Sequence, residues 1–315
     1  MRVLITGANG FVGRAFCAEA KKRGASVRGA VRIAGVSIDY CEPTVVGEID
    51  GETNWSTALE GCHWVVHTAA RVHVKVKSTN LELAEYRRVN VEGTLNLARQ
   101  CAQNGVKRFL FLSSIKVNGE NTDLGEPFRT DSAPNPKDAY GISKFEAELG
   151  LWKIAAESSM QIVIVRPPLV YGPGVKANFR MMMKCLSLGL PLPLGAARDN
   201  RRSMVSIDNL VDFIWTCLTH PRAASQTFLI SDGEDLSTRD LLNRLGKAMD
   251  KPTKLIPIPL GLLKLFTKIA GLEAIGSKLF DSLQVDISKT ATDLNWRPLI
   301  DVDEGLRRTA LGHIA

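Results

Sequence analysis

Three glycines set between a strand-forming run and a helix constrain this chain more than any other feature of it. Val3 to Thr6 is apolar and β-branched, Gly7, Gly10 and Gly13 follow, and Val12, Ala15, Phe16 and Ala20 recur at helical spacing until Gly24 ends the pattern. The rhythm repeats. Short apolar runs at Val27 to Val31, Trp64 to Ala69, Phe109 to Ser114 and Ile162 to Arg166 are separated by longer helical patterns such as Tyr86 to Gln103 and Tyr140 to Glu157. Strands alternating with helices predict an α/β fold built on a doubly wound parallel sheet. Past Arg166 the alternation gives way to elements punctuated by Pro167, Pro168, Pro173, Pro191, Pro193, Pro252, Pro257 and Pro259, the texture of a cap built onto a sheet domain.

At 315 residues the chain is long enough for one large domain or two joined ones. The expected division is a Rossmann-type dinucleotide-binding domain over residues 1–170, rejoined by about 205–232. A smaller C-terminal α/β domain over 171–204 and 233–315 is expected to bind the substrate. The glycine turn carries the cofactor prediction. With side chains absent at Gly7, Gly10 and Gly13, the backbone N–H groups of the turn and of the helix start can hold a pyrophosphate. Asn9, Phe11 and Val12, in the same turn, are placed at the cofactor with them.

An NAD-specific site of this kind puts an acidic residue at the end of the second strand, where it accepts from the ribose hydroxyls. Here that position reads Val31-Arg32. An Arg can pair with a 2′-phosphate, so NADP(H) is the favoured cofactor, with Arg32 as discriminator, Arg28 as helper and NAD as the alternative. Tyr140 and Lys144, four positions apart, share a helix face. A lysine ammonium beside a phenol is expected to stabilise the phenolate and bring it toward acid/base work, and Ser114, at a strand end, can polarise the same substrate oxygen.

Charge and cysteine usage narrow the classes further. Forty Lys+Arg against 33 Asp+Glu leave +7, which suits an anionic ligand, but aromatics at 6% and no recognised motif argue against nucleic acid. Six scattered cysteines read as reduced thiols of a cytoplasmic protein. The N-terminus lacks the pattern of a secretory leader. The apolar stretch from Leu255 to Leu283 is interrupted by Lys264, Lys268, Glu273 and Lys278, so it is not a membrane span; it is read as core, with contact at a membrane surface as the alternative. Cys62, His63, His67 and His73 flank an extended run in alternating directions, and no metal site is expected.

These motifs together resemble the extended short-chain dehydrogenase/reductases, in the branch of the sugar-nucleotide epimerases, dehydratases and reductases. Ser113-Ser114-Ile115-Lys116-Val117-Asn118-Gly119 is similar to that family's serine strand end, and Tyr140-Gly141-Ile142-Ser143-Lys144 to its catalytic helix. Arg166-Pro167-Pro168-Leu169-Val170-Tyr171-Gly172-Pro173-Gly174, Asn90-Val91-Glu92-Gly93-Thr94 and Ala69-Ala70 resemble cofactor-side segments. The resemblance implies Ser114, Tyr140 and Lys144 as catalytic residues. It adds Ala69, Ala70, Asn90, Ser113 and Pro167 to the cofactor set, and Lys116, Asn178 and Arg202 to the substrate set, the last two at the diphosphate. A second phosphate-binding arginine has no counterpart near Ser282 to Asp286, leaving Lys278 as stand-in.

The family's dehydratases carry Asp-Glu where this chain has Ile115-Lys116, so dehydration is disfavoured. Arg32 tilts the choice toward an NADP(H)-dependent reductase of a UDP-4-keto-6-deoxy-N-acetylhexosamine in cell-surface polysaccharide synthesis. The alternative is a 4-epimerase of UDP-hexose or UDP-N-acetylhexosamine with tightly bound NAD. Reduction of a non-nucleotide carbonyl and non-catalytic NADP binding rank lower. Family analogy adds a homodimer.

Overall fold

The computed structural model describes residues 1–72, 79–271 and 273–314, and of residues 79, 80, 177, 178, 273–275 and 314 the backbone only. The first half runs β1 (Arg2–Thr6), α1 (Phe11–Lys22), β2 (Ser26–Val31), β3 (Glu42–Val45), α2 (Ser56–Leu59), β4 (Trp64–His67), α3 (Thr79–Tyr86), α4 (Thr94–Gln103), β5 (Arg108–Leu112), α5 (Ala139–Ala156) and β6 (Gln161–Arg166). Then follow β7 (Leu169–Tyr171), α6 (Ala177–Ser187), β8 (Met204–Ser206), α7 (Ile207–Thr219), β9 (Gln226–Leu229), α8 (Thr238–Ala248), α9 (Leu260–Ile269), α10 (Glu273–Phe280), α11 (Ser288–Leu294) and α12 (Val302–Ile314).

Seven strands form one parallel sheet in the order β3-β2-β1-β4-β5-β6-β9. The chain runs outward from β1 in both directions, so a crevice opens at the carboxyl ends of β1 and β4, where ligands of such sheets bind. The central strands are buried on both faces, which is why they read as continuous apolar runs rather than alternating ones. One core joins α1 and α7 to the sheet through Phe16, Cys17, Leu210, Phe213 and Ile214; the other joins α2, α4 and α5 through Leu59, Leu97 and Leu151. A third core gathers Tyr171, Phe179, Met204, Leu242, Leu245 and Leu306 around the short parallel pair β7-β8.

Two departures from the sequence reading bear on the site. The helical pattern expected from Tyr86 is α-helical only to that residue and from Thr94 onward. Between them, Arg87–Gly93 is a π-helix, a wider turn common where a helix presents residues to a functional site. The strand in the run expected to Ser114 ends at Leu112, and Ser114 becomes the N-cap of a 3₁₀ turn over Ile115–Val117, its hydroxyl accepting from Lys116 N at 3.3 Å. Among the described residues no helix is long and apolar enough to cross a membrane.

Candidate active site

Gly10 is the N-cap of α1 and brings no side chain to satisfy the first N–H groups of the helix. Close packing excludes side chains here: a Cβ on Gly7, at φ +66°, would lie 2.8 Å from Ala69 N, and one on Gly13 only 2.1 Å from Gly7 O. The free helix start therefore opens onto a cavity of about 630 Å³, lined at this end by Gly7, Asn9, Gly10, Phe11, Val12 and Gly13. At the other end stand Ser113, Tyr140 and Lys144, with Ala69 and Ala70 on the wall between. Backbone donors aimed into a long cleft suit a dinucleotide diphosphate. Gly13→Ala is expected to abolish retention of the nucleotide, read by its absence from acid extracts of the purified variant; a full complement of nucleotide would sink this assignment.

Arg32 lines the cavity, but its guanidinium is 3.5 Å from the Glu48 carboxylate, which lines the same wall. Glu48 escaped the sequence reading because it follows β3, whose four residues include Pro43 and are mostly exposed, leaving no strand signal. A carboxylate there accepts from ribose hydroxyls and repels a 2′-phosphate, which weakens the argument for NADP(H). Arg28 corrects the expectation more sharply. It is buried, and its Nη1 donates to the carbonyls of Thr57, Ala58 and Glu60 at 2.8–3.1 Å, so it ties β2 to α2 and cannot help at a phosphate.

Asp138 caps α5, accepting from Gly141 N at 2.7 Å, and so places Tyr140 in the first turn of the helix. Lys144 is buried one turn on, where its Nζ donates to Leu112 O at 2.8 Å and lies 4.3 Å from the centre of the Phe111 ring. Burial pulls the Lys144 ammonium down to about 7, and the Glu148 carboxylate opposes that fall. The expected depression of the phenol is not what this arrangement produces. Lys144 Nζ is 6.0 Å from the Tyr140 ring centre, and burial, Asp138 and Tyr86 together push the Tyr140 phenol up. The pair is placed for proton transfer, and a further positive charge beside the ring is what would bring the phenol down.

Behind this pair is a buried network that the sequence did not disclose. Glu148 accepts from Arg166 through Nε at 3.0 Å and Nη2 at 2.5 Å, and from the hydroxyl of Ser113. Arg166 Nη1 donates to Asn118 Oδ1 at 3.1 Å. The Ser113 hydroxyl is thus committed to Glu148, while Ser114 lines a second cavity. The signal was a glutamate four positions after Lys144 on a helix whose flanks are apolar. His67, on β4, is buried between the hydroxyls of Thr6 (2.6 Å) and Thr94 (2.9 Å), and burial lowers it to about 3, so it serves as a neutral strut. His73 lies outside the described residues.

A second cavity of about 500 Å³ adjoins the first. Ser114, Lys116, Tyr140, Lys176, Arg202 and Lys278 give it hydroxyl and cationic groups, and Phe179, Met182, Leu241 and Leu283 give it apolar walls. Among the described residues, Tyr140 and Val72 alone belong to the linings of both cavities. Lys116 is already engaged, donating to Glu120 Oε1 at 2.8 Å and to Asp138, which holds its ammonium charged against burial. Arg202 keeps part of its fork for a ligand, with Nη1 given to Asp281 O at 2.8 Å. Lys176 was missed by the sequence reading; it precedes α6 as an isolated lysine with no motif around it.

Three expected contacts stand differently. The Asn90 amide is spent on Arg71 N (2.8 Å), Arg71 O (3.0 Å) and Ser143 Oγ (3.0 Å), so it braces the 69–72 wall against α5 from behind the cavity. Pro167 accepts from Ile115 N at 3.0 Å and stands outside both linings, while Pro168 borders the second cavity. The side chain of Asn178 lies outside the described residues.

Comparison with known proteins agrees with this geometry. Residues 3–231 match the NAD dependent epimerase/dehydratase family. A UDP-glucose 4-epimerase of Vibrio cholerae is 48% identical over 309 residues, covering 98% of this chain and 94% of that protein. The N-acetyl-alpha-D-glucosaminyl-diphospho-ditrans,octacis-undecaprenol 4-epimerase of Escherichia coli O157:H7 is 30% identical, covering 83% and 77%. Among solved structures, the Bordetella bronchiseptica enzyme WbmG in complex with NAD and UDP superposes with a TM-score of 0.74 at 22% identity, covering 99% of this chain and 92% of that one.

Proposed function

Since the chain belongs to the NAD dependent epimerase/dehydratase family, we propose that it inverts C4 of a UDP-hexose or UDP-N-acetylhexosamine, with NAD held in the glycine-turn cavity. The observation that carries this reading is that Tyr140 lines both cavities, the cofactor's and the sugar's. The orphan N–H groups at the start of α1 and the close packing at Gly13 make the first cavity fit a dinucleotide. NAD held there would supply a hydride acceptor and, in its reduced form, a hydride donor.

The chain's own residues manage the protons. Tyr140 Oη, ionised by the positive charge that bound NAD would bring beside the ring, would take the proton of the C4 hydroxyl and later return it, and the Ser114 hydroxyl would donate to the C4 oxygen while that oxygen is a carbonyl. Lys144, whose ammonium burial pulls down to about 7, stands one helical turn from the tyrosine and is charged more fully as pH falls below that. Lys176, Arg202 and Lys278 meet the diphosphate from the 171–204 and 233–315 segments. Epimerisation is preferred to the 4-keto reduction that Arg32 suggested, because Glu48 faces Arg32 on the cavity wall and the 48% relative is named for epimerisation.

A sugar carried on a polyprenyl diphosphate is the second reading. It would present the same diphosphate to the same three cations, and the Escherichia coli relative is named for such a substrate. The test is incubation of the purified protein with UDP-glucose and UDP-N-acetylglucosamine, with C4 configuration followed by NMR and absorbance at 340 nm. Interconversion without net change at 340 nm supports the proposal. Stoichiometric consumption of NADPH on a UDP-4-keto-6-deoxy-N-acetylhexosamine, with no interconversion, returns the reaction to reduction. Turnover confined to a polyprenyl diphosphate sugar selects the second reading.

A further inference from the structure

α9 presents its apolar stripe to water. Leu262, Leu265, Phe266 and Ile269 fall at i, i+3, i+4 and i+7, the spacing by which a helix of a soluble protein covers its core. Here all four are exposed, Phe266 at 65% and Ile269 at 78%, and Leu263, on another side of the helix, is the residue that joins the third core with Leu242 and Phe280. Four large apolar side chains on one outward face form a contiguous patch, unlike single exposed leucines, which need no explanation.

The charge on this helix and on the segment leading into it is of one sign. Residues 251–272 contain four lysines, Lys251, Lys254, Lys264 and Lys268, and no acidic residue. All four are exposed, and Lys264 leans on Asp281 at 3.0 Å. An apolar face on a helix whose charged residues, Lys264 and Lys268, are both cationic suits a helix lying in the plane of an anionic membrane, with the rings and branches among the acyl chains and the ammonium groups at the headgroups.

A second copy of the chain fits this face poorly. A twofold interface sets a patch against itself, which would bring the lysines together with no carboxylate from residues 251–272 between them. We propose that α9 docks the protein on an anionic lipid bilayer. The proposal rests on this surface alone and holds whichever carrier the sugar has. It also orients the site: α10 packs on α9, and its Lys278 and Leu279 line the sugar cavity, so a docked α9 brings that cavity to the membrane face.

The experiment is flotation of the full chain with vesicles of phosphatidylcholine alone and of phosphatidylcholine mixed with phosphatidylglycerol. Binding is expected to the mixed vesicles, to weaken with added salt, and to fall by about tenfold or more in the variant Phe266→Glu, Ile269→Glu. Retained turnover of that variant on a soluble UDP-sugar shows that it is folded. Absence of wild-type binding to the mixed vesicles overturns the proposal, as does equal binding by the variant. A shift from dimer to monomer in the variant, with no vesicle binding by either protein, assigns the face to a second copy and likewise overturns it.

Discussion

Tyr140→Phe is expected to lower turnover by about 10²–10⁴-fold while the protein keeps its nucleotide. The substitution removes one oxygen from the wall common to both cavities and leaves the ring, its neighbour Tyr86 at 6.0 Å between ring centres, and the Lys144 contact with Leu112 O untouched. The loss therefore reports proton transfer and not binding. Steady-state rates on a UDP-sugar, beside quantitation of extracted nucleotide, check both halves. A variant that keeps more than about a tenth of the wild-type rate would remove Tyr140 from the chemistry, since a positioned acid/base group contributes more than that.

The second large effect concerns stability. Glu148→Ala leaves the Arg166 guanidinium buried with Asn118 Oδ1 as its remaining side-chain partner and orphans the Ser113 hydroxyl. Breaking a buried ion pair from one side costs about 3–5 kcal/mol, a large part of the roughly 5–15 kcal/mol that holds a typical domain folded. Urea unfolding of the variant should show a midpoint lowered accordingly. Replacing both partners, as Glu148→Leu with Arg166→Met, should recover most of the loss, because no charge is then stranded. A single variant within about 1 kcal/mol of wild type would show that water reaches the guanidinium and that the pair is not sealed. Losing Glu148 also removes the negative charge that opposes the fall of Lys144, so its proton affinity drops further.

The parts of this molecule that sequence discloses are those whose chemistry is local. A strand followed by glycines and a helix is specified within some twenty residues, and so is a Tyr and Lys one turn apart; both sit where the patterns place them. Ser114 was legible for the same reason, as a hydroxyl at the end of an apolar run. What escaped depends on neighbours distant in the chain. Glu48 meets Arg32 only because β3 lies beside β2 at the sheet edge, and β3, with Pro43 and three further residues, carries no periodic signal. Arg28 reads as a cation near a phosphate until α2 folds over it and takes its donors. The Glu148–Arg166 pair joins a helix to a strand, and no spacing rule reaches across that gap. The π-turn at Arg87–Gly93 leaves a helical pattern looking continuous, since one extra residue per turn barely disturbs apolar periodicity over seven positions.

The common wall of Tyr140 and Val72 has a consequence for residence times. Were the cleft to hold a dinucleotide and the chamber a sugar nucleotide, each occupant would rest on its own residues apart from that wall. Under the proposed epimerisation the nucleotide would be a lodger across many turnovers, while the sugar would be a visitor that must detach from the wall, present its other face and settle again. The clock of such a reaction would be set by the tumbling and exchange of the sugar beside one phenol, and the supply of fresh nucleotide would drop out of the rate.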